Sequence, residues 1–379
     1  MKIRKVEAWP VRLPRDMASA TGTAGSPTKL AGASGDYRWS SVFPCLYSTN
    51  FETALVRVTL DNGLYGWGEA QAPLAPEVAC EIVRLLLKPA IEDAEFDGSI
   101  AEIETLWDRM YATMRVRGQT GGFMLDAISG VDLALWDLAG KIARRPVFAL
   151  LGGDRTTMPA YVSGLPALSR AEAAARYRDE GFDKFKLFFD TPEESEFLTS
   201  MDAMPRGCRI AVDALWRFDS ASAQRFGAEL DARNALWFEA PMPPEDARAH
   251  GQLAAAVDTP VAIGESYRTR YEIAPFVREK GVGVLQPDLG RCGITEGLRM
   301  AAMAQVPVVP HVSIAMGPQV AAALHFASAV PQCALVEYNP QVLTVANRFL
   351  REPIVMEQAA YRIPDAPGLG VELNEDLLP

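Results

Sequence analysis

The amino-acid sequence predicts an α/β fold built around a closed (β/α) barrel. Two observations carry this. Short apolar runs alternate with amphipathic, Ala-rich segments such as Ser169–Glu180 and Ala221–Ala232. That alternation argues for parallel strands joined by helices. The runs also number eight: Ala160–Ser163, Phe185–Phe189, Arg209–Asp213, Leu236–Glu239, Val261–Glu265, Gly283–Asp288, Val306–His311 and Ala334–Glu337. Eight such units in roughly 180 residues suit a closed barrel better than an open sheet.

The segment before the barrel has a different texture. Residues 1–14 and 51–70 read as strands, with a tight turn at Asp61-Asn-Gly63. Residues 15–50 between them are rich in Gly, Ser, Ala and Thr, and a loop of that length is expected to be functional or mobile. Residues 76–117 read as helical, with breaks at Pro89 and Gly98. A helix from Ala127 to Lys141 follows, stopped by Pro146 and Gly152-Gly153. After Pro340 the alternation ends. Ile354–Glu357, Tyr361–Pro364 and Pro367–Gly370 read as a strand-and-turn tail that packs back on the N-terminal segment.

Bulk properties narrow the class. The 379 residues carry 49% hydrophobic and 22% charged side chains, the balance of a soluble globular protein. The net charge of −11 argues against a nucleic-acid or anionic-membrane surface. An anionic small substrate stays compatible, because a bound cation reverses the local field. The five cysteines are widely spaced with no C-x-x-C pair, which fits a reducing cytoplasm. No apolar run approaches a membrane span.

The chemistry lies in the polar residue near the end of each run. These are Lys186, Asp213, Glu239, Glu265, Asp288, His311 and Glu337, with gaps of 27, 26, 26, 23, 23 and 26 residues. Strand ends of a parallel barrel share one mouth, so the spacing converges these groups. Asp213, Glu239 and Glu265 on strands three to five make a hard oxygen-donor set suited to Mg²⁺. Without a cation three such carboxylates would repel one another. Lys184 and Lys186 lie two apart and project to the same side of strand two. A lysine near other cations can act as a base at neutral pH. Asp288 is placed to orient the His311 imidazole on the adjacent strand. Glu337, if protonated, could donate a hydrogen bond to a substrate carboxylate.

Several residues read as ordinary. His250 falls at an exposed helical position and His325 on an apolar helix, as a packed or capping histidine. Nothing marks Cys292 as a nucleophile. The Gly-Gly pairs at 121–122 and 152–153 are turns, since no Gly-Lys-Ser/Thr follows. Trp39, Arg38 and Tyr47 in the long loop read equally as substrate contacts or as solvated side chains.

Over essentially its whole length the chain resembles the mandelate racemase subgroup of the enolase superfamily. The resemblance rests on Ile128-Ser-Gly-Val-Asp-Leu-Ala-Leu-Trp-Asp-Leu-Ala-Gly-Lys141, Lys184-Phe-Lys186, Phe238-Glu-Ala-Pro241 with Pro244-Glu-Asp246, Gly264-Glu265, Gln286-Pro-Asp288 with Arg291-Cys-Gly-Ile-Thr-Glu296, and Pro310-His311. It implies a modified TIM barrel, (β/α)7β, over 126–340. Residues 1–125 would form an α+β capping domain, completed by the tail 341–379, and its loop at about 15–48 would shape substrate choice.

Site roles follow from the same resemblance. Asp213, Glu239 and Glu265 match the metal ligands, Lys186 the second-lysine base and Lys184 the lysine that supports it. His311 with Asp288 matches the opposing dyad, and Glu337 the electrophilic acid. The implied chemistry is removal of a proton α to a carboxylate through a metal-stabilised enediolate, with Lys-or-His bases and Mg²⁺ as general treatments of such sites describe. Strand six ends in Asp288 rather than a lysine base, which favours the mandelate racemase side, dominated by sugar-acid dehydratases. A hydro-lyase giving a 2-keto-3-deoxy acid is therefore expected. A racemase or epimerase of an α-hydroxy acid is the alternative, and a non-catalytic binding barrel a third reading. The resemblance also implies a homo-oligomer. One departure stands out: Asp213 is followed by Ala214, Leu215 and Trp216, where many relatives carry Asn or His two residues on.

Overall fold

The computed structural model describes residues 1–15, 27–28, 35–40, 45–191 and 193–378. Its N-terminal part is an antiparallel sheet in which Asn50–Leu60 lies between Ile3–Pro14 and Tyr65–Ala70. The central strand is largely buried on both faces, and Leu55, Val56 and Val58 are fully buried. One face carries the helix Phe123–Ala143, whose residues from Met124 to Gly140 are all buried. Contact is close enough to require glycine: a Cβ on Gly68 would lie 2.0 Å from the Gly130 carbonyl oxygen. The helix is buried all round because its other side packs on the barrel helix Leu289–Ala304.

The expected loop at about 15–48 lies largely outside the described residues. Of the part described, Tyr37–Ser40 pairs antiparallel with Leu46–Ser48. The helical stretch after Pro76 is not broken at Pro89: Val83–Leu87 widens into a π turn immediately before it, and Lys88–Ile91 carries the helix on. Ile100–Arg115 follows, capped by Ser99.

The barrel follows the predicted order. Parallel strands Thr157–Val162, Lys184–Phe188, Arg209–Asp213, Phe238–Glu239, Val261–Ile263 and Val284–Leu285 are neighbours in sequence order, and Val336–Tyr338 pairs with the first. The seventh run, at 306–311, is joined to its neighbours only by isolated bridges, Leu285 to Val308, Asp288 to His311 and Val308 to Cys333. Pro307 and Pro310 explain this, since neither can donate to a ladder. Tyr161, Ala211, Trp237, Ala262, Val284 and Val309 pack together as a separate interior cluster.

The second strand departs from expectation in depth. It continues two residues past Lys186, and Phe188 rather than Lys186 is in register with Asp213, while Lys186 faces Ala211. Lys186 is therefore a mid-strand residue. Lys184 begins the strand, and its ammonium pairs with Asp183 at 2.6 Å.

The tail divides its contacts. Ala360–Arg362 pairs antiparallel with the start of the first barrel strand, so this part adds to the barrel. Further on, Leu369 N–H donates to Asp137, and Glu372 and Glu375 pair with Lys141 and Arg57 of the N-terminal part. His250 is buried, not exposed: its ring packs on Phe276 inside the helical layer, and burial lowers its pKa. His325 is packed as expected, accepting from Phe148 N–H and bonded to the Leu369 carbonyl. Among the described residues, no helix is long and apolar enough to cross a membrane.

Candidate active site at the barrel mouth

Strand ends deliver the acidic groups. Asp213 and Glu239 are the last residues of their strands and are in register with each other. Glu265 lies two residues past Val261–Ile263. Asp213 accepts from Leu215 N–H at 3.0 Å. That bond sits in a tight reversal where Leu215 and Trp216 both have φ of 55°. Two consecutive left-handed non-glycine residues cost about 1–2 kcal/mol each, a form of strain that tends to persist at functional sites.

Glu239 is held from three sides. One oxygen accepts from Lys186 Nζ at 2.7 Å, and the other from Trp237 Nε1 at 2.9 Å and Gln286 Nε2 at 2.8 Å. Lys186 also lies 3.1 Å from Glu337 and 3.6 Å from Asp213. Burial opposes its charge, but Glu239 and Glu337 win, and its pKa is raised well above the ordinary lysine value. Lys186 is thus a buried counter-ion to the carboxylates it touches.

Glu337 is placed differently from its expected role. Its second oxygen accepts from Val312 N–H at 3.1 Å. Burial pushes its carboxyl up, but Lys186 and His311 bring it below the usual range. As arranged it accepts hydrogen bonds as a carboxylate rather than donating as an acid.

The dyad is assembled as the spacing predicts. His311 Nδ1 lies 2.8 Å from Asp288, and Nε2 lies 2.7 Å from Glu265. Asp288 also caps the helix Leu289–Ala304, accepting from Gly290 N–H and from Gln319 Nε2, both at 2.9 Å. An acceptor fixed by two other donors fixes the imidazole in turn. Burial would lower the His311 pKa, but Glu265 and Asp288 raise it well above the ordinary value. Against the opposing effect of burial, the same contact brings Glu265 down to about 2.

These groups border a cavity of about 620 Å³ between the barrel mouth and the N-terminal segments. Phe188, Asp213, Glu265 and His311 line it, with Arg15, Tyr47 and Gln71 from the N-terminal side. Lys186, Glu239, Asp288 and Glu337 stand behind that wall. Lys184 is not brought to the site: its ammonium pairs with Asp183 at the other end of the strand. Of the three loop residues left open in the sequence, Tyr47 lines the cavity. The gap noted after Asp213 is filled by Leu215 and Trp216 as apolar wall.

Could the carboxylate trio hold a metal? Among the described residues, no three His, Cys, Asp or Glu side chains converge closely enough to do so as they stand. Glu265 is turned to His311. Three other observations favour the fit. Burial, and then the charge of Glu239, push Asp213 well above its usual range, the repulsion a cation relieves. A second cavity of about 10 Å³ touches both Glu239 and Glu265. Gln286 lines it too, and its buried Oε1 has no hydrogen-bond partner.

Sequence reasoning missed the uncharged partners. Trp237, Gln286 and Gln319 carry no charge to draw attention, although Gln286 stands two residues before Asp288 in a strand end already singled out. It also missed Glu69, which is buried, accepts from Met316 and Gln319 N–H, and is raised by burial to about 7.

Comparisons with known proteins bear on the whole chain. Residues 47–152 match the N-terminal domain of mandelate racemase and muconate lactonizing enzyme, and residues 169–377 match the enolase C-terminal domain-like family. The D-galactarolactone cycloisomerase of Agrobacterium fabrum is 31% identical over 86% of this chain and 89% of its own length. The arabinonate dehydratase of Saccharolobus solfataricus is 29% identical over 86% of this chain and 89% of its own. The crystal structure of an enolase superfamily member from Agrobacterium tumefaciens superposes with a TM-score of 0.90 at 30% identity, covering 99% of this chain and 97% of that one. The capped barrel, its acidic strand ends and these likenesses place the chain, as an enzyme, in the mandelate racemase subgroup of the enolase superfamily.

Proposed function

We propose that the protein removes the proton α to the carboxylate of a sugar acid and expels the β-hydroxyl, giving a 2-keto-3-deoxy acid. One observation carries this reading: His311, oriented by Asp288, stands on the cavity wall beside the carboxylates of Asp213 and Glu265. Relatives named as a cycloisomerase and a dehydratase of acid sugars support the substrate class.

Asp213, Glu239 and Glu265 would hold Mg²⁺, which would supply the positive charge that binds the substrate carboxylate and steadies charge building up on it. The protein's own groups do the rest. His311 takes the α-proton at Nε2 once Glu265 turns away from it. Asp288 keeps the Nδ1 proton in place. Lys186 offsets the buried negative charge of Glu239 and Glu337, and acts by positioning them. Arg15 and Arg291 bring positive charge to the cavity wall, suited to an anion.

The test is a library of sugar acids assayed with Mg²⁺ for 2-keto-3-deoxy products. At least one member is expected to be converted. Racemisation of a simple α-hydroxy acid, with no keto product from any member, would refute dehydration.

A further inference from the structure

A site that removes an α-proton works from one face of its substrate or from two. The carboxylate trio occupies strands three to five. Strand two borders it on one side, and strands six and seven border it on the other. A racemase or epimerase needs a base on both sides, because the proton removed from one face must be replaced on the other. The seventh-strand side has His311.

Residues 184, 186 and 188 alternate onto one face of the second strand. Phe185, Leu187 and Phe189 point the other way, and Phe189 packs among Phe197, Phe218 and Phe226 of the outer layer. Of the three inward positions, the one level with Asp213 is Phe188. It lines the cavity, whereas Lys186 does not. The Lys186 ammonium lies 5.4 Å from the Phe188 ring centroid, and Lys186 is 1% exposed. The ring covers the ammonium. Beneath it, Lys186 is committed to three carboxylates.

We propose that Phe188 closes the second-strand face of the site, so that His311 alone serves the α-carbon, from one side. The proposal rests on the function inferred above. His311 Nε2 takes the α-proton, and the C–H electron pair forms a carbon–carbon double bond as the β C–O bond breaks. The departing hydroxyl, turned to the same face, takes that proton from His311 and leaves as water. The resulting enol becomes the 2-keto acid. Proton and electrons balance with no second base and no co-reactant. Interconversion of α-epimers has no route, which rejects the racemase and epimerase alternative for this chain.

The experiment uses the sugar acid found in the library screen and its C2 epimer, each incubated with the enzyme and Mg²⁺ in D₂O. Proton NMR follows loss of the α-hydrogen, by exchange or by conversion. One epimer is expected to react at least about 100-fold faster than the other, the low end of what a positioned base contributes. Neither epimer should appear from the other. The reactive epimer should lose its α-hydrogen at least about 100-fold more slowly in His311→Asn, with the fold checked by circular dichroism. Comparable rates for both epimers, or their interconversion, would overturn the proposal and point to a second base on the wall, such as Tyr47 or Glu245. Retained reactivity in His311→Asn would overturn it equally. Loss of the α-hydrogen from neither epimer is a different failure, and sinks the reading of the site itself.

Discussion

The two sides of the barrel mouth carry residues of similar sequence appearance and opposite fate. On the second strand a lysine, and on the seventh a histidine, each stand near the end of an apolar run. His311 reaches the cavity. Lys186 stops two residues short, under Phe188, and is bound to the carboxylates it faces. The difference teaches that charge type selects candidates, but depth along the strand decides between chemistry and structure. A group at the rim can exchange protons with a substrate. One rung lower, the same charge is a counter-ion.

Substitution should separate these roles. His311→Asn is expected to reduce turnover by about 10²–10⁴-fold, the range for a lost general base. Its stability loss should be about 1–3 kcal/mol, from hydrogen bonds left unmade at Asp288 and Glu265. Lys186→Met should show the reverse emphasis. It strands Glu239 and Glu337 without their shared cation, and losing one partner of a buried pair costs about 3–5 kcal/mol. Urea unfolding together with steady-state kinetics measures both quantities. Equal stabilities for the two variants would break the comparison.

A smaller effect contrasts the mouth with the packed histidine far from it. His325 is buried between Phe148 and the tail, and burial lowers its pKa to about 4 despite the bond to Leu369. An unfolded histidine titrates near 6.5, so between those values the unfolded chain binds a proton that the folded chain refuses. This contribution to stability is complete above about pH 6.5 and is lost as the pH falls toward 4. At pH 5 the loss is roughly 2 kcal/mol. His325→Gln should flatten that part of the stability profile relative to the parent, as thermal melts between pH 7 and 5 would show. An unchanged profile would mean that His325 does not titrate in this window.

Much of the architecture was legible because it repeats. Strand-and-helix units of 23 to 27 residues make a barrel visible without knowledge of any contact. Asp213 and Glu239 were easily placed, since each ends its strand. Lys186 was misplaced because alternation reveals which face a side chain occupies but not its height, which is set by pairing with a strand 25 residues away. The run Phe185–Phe189 already carried Leu-Phe-Phe past Lys186, the available sign that Lys186 lies below the strand end. Glu337 was read as an acid because its partner, Lys186, lies 151 residues earlier in the chain and was assigned elsewhere. Gln286 and Trp237 escaped notice because neutral donors to a carboxylate leave no pattern in charge. His250 was called exposed on polar neighbours, while its own turn of helix faces Phe276.

The central claim is that Asp213, Glu239 and Glu265 and the dyad of His311 and Asp288 form one Mg²⁺-dependent device for removing an α-proton. Its most direct test is the rate of α-hydrogen loss from the identified sugar acid in D₂O, with Mg²⁺ and after its removal by EDTA, in the parent and in Glu239→Gln. The account predicts loss in the parent with Mg²⁺, none after EDTA, recovery on adding Mg²⁺ back, and little or none in Glu239→Gln at any Mg²⁺ concentration. Full activity in EDTA, or an unimpaired Glu239→Gln enzyme, would contradict it.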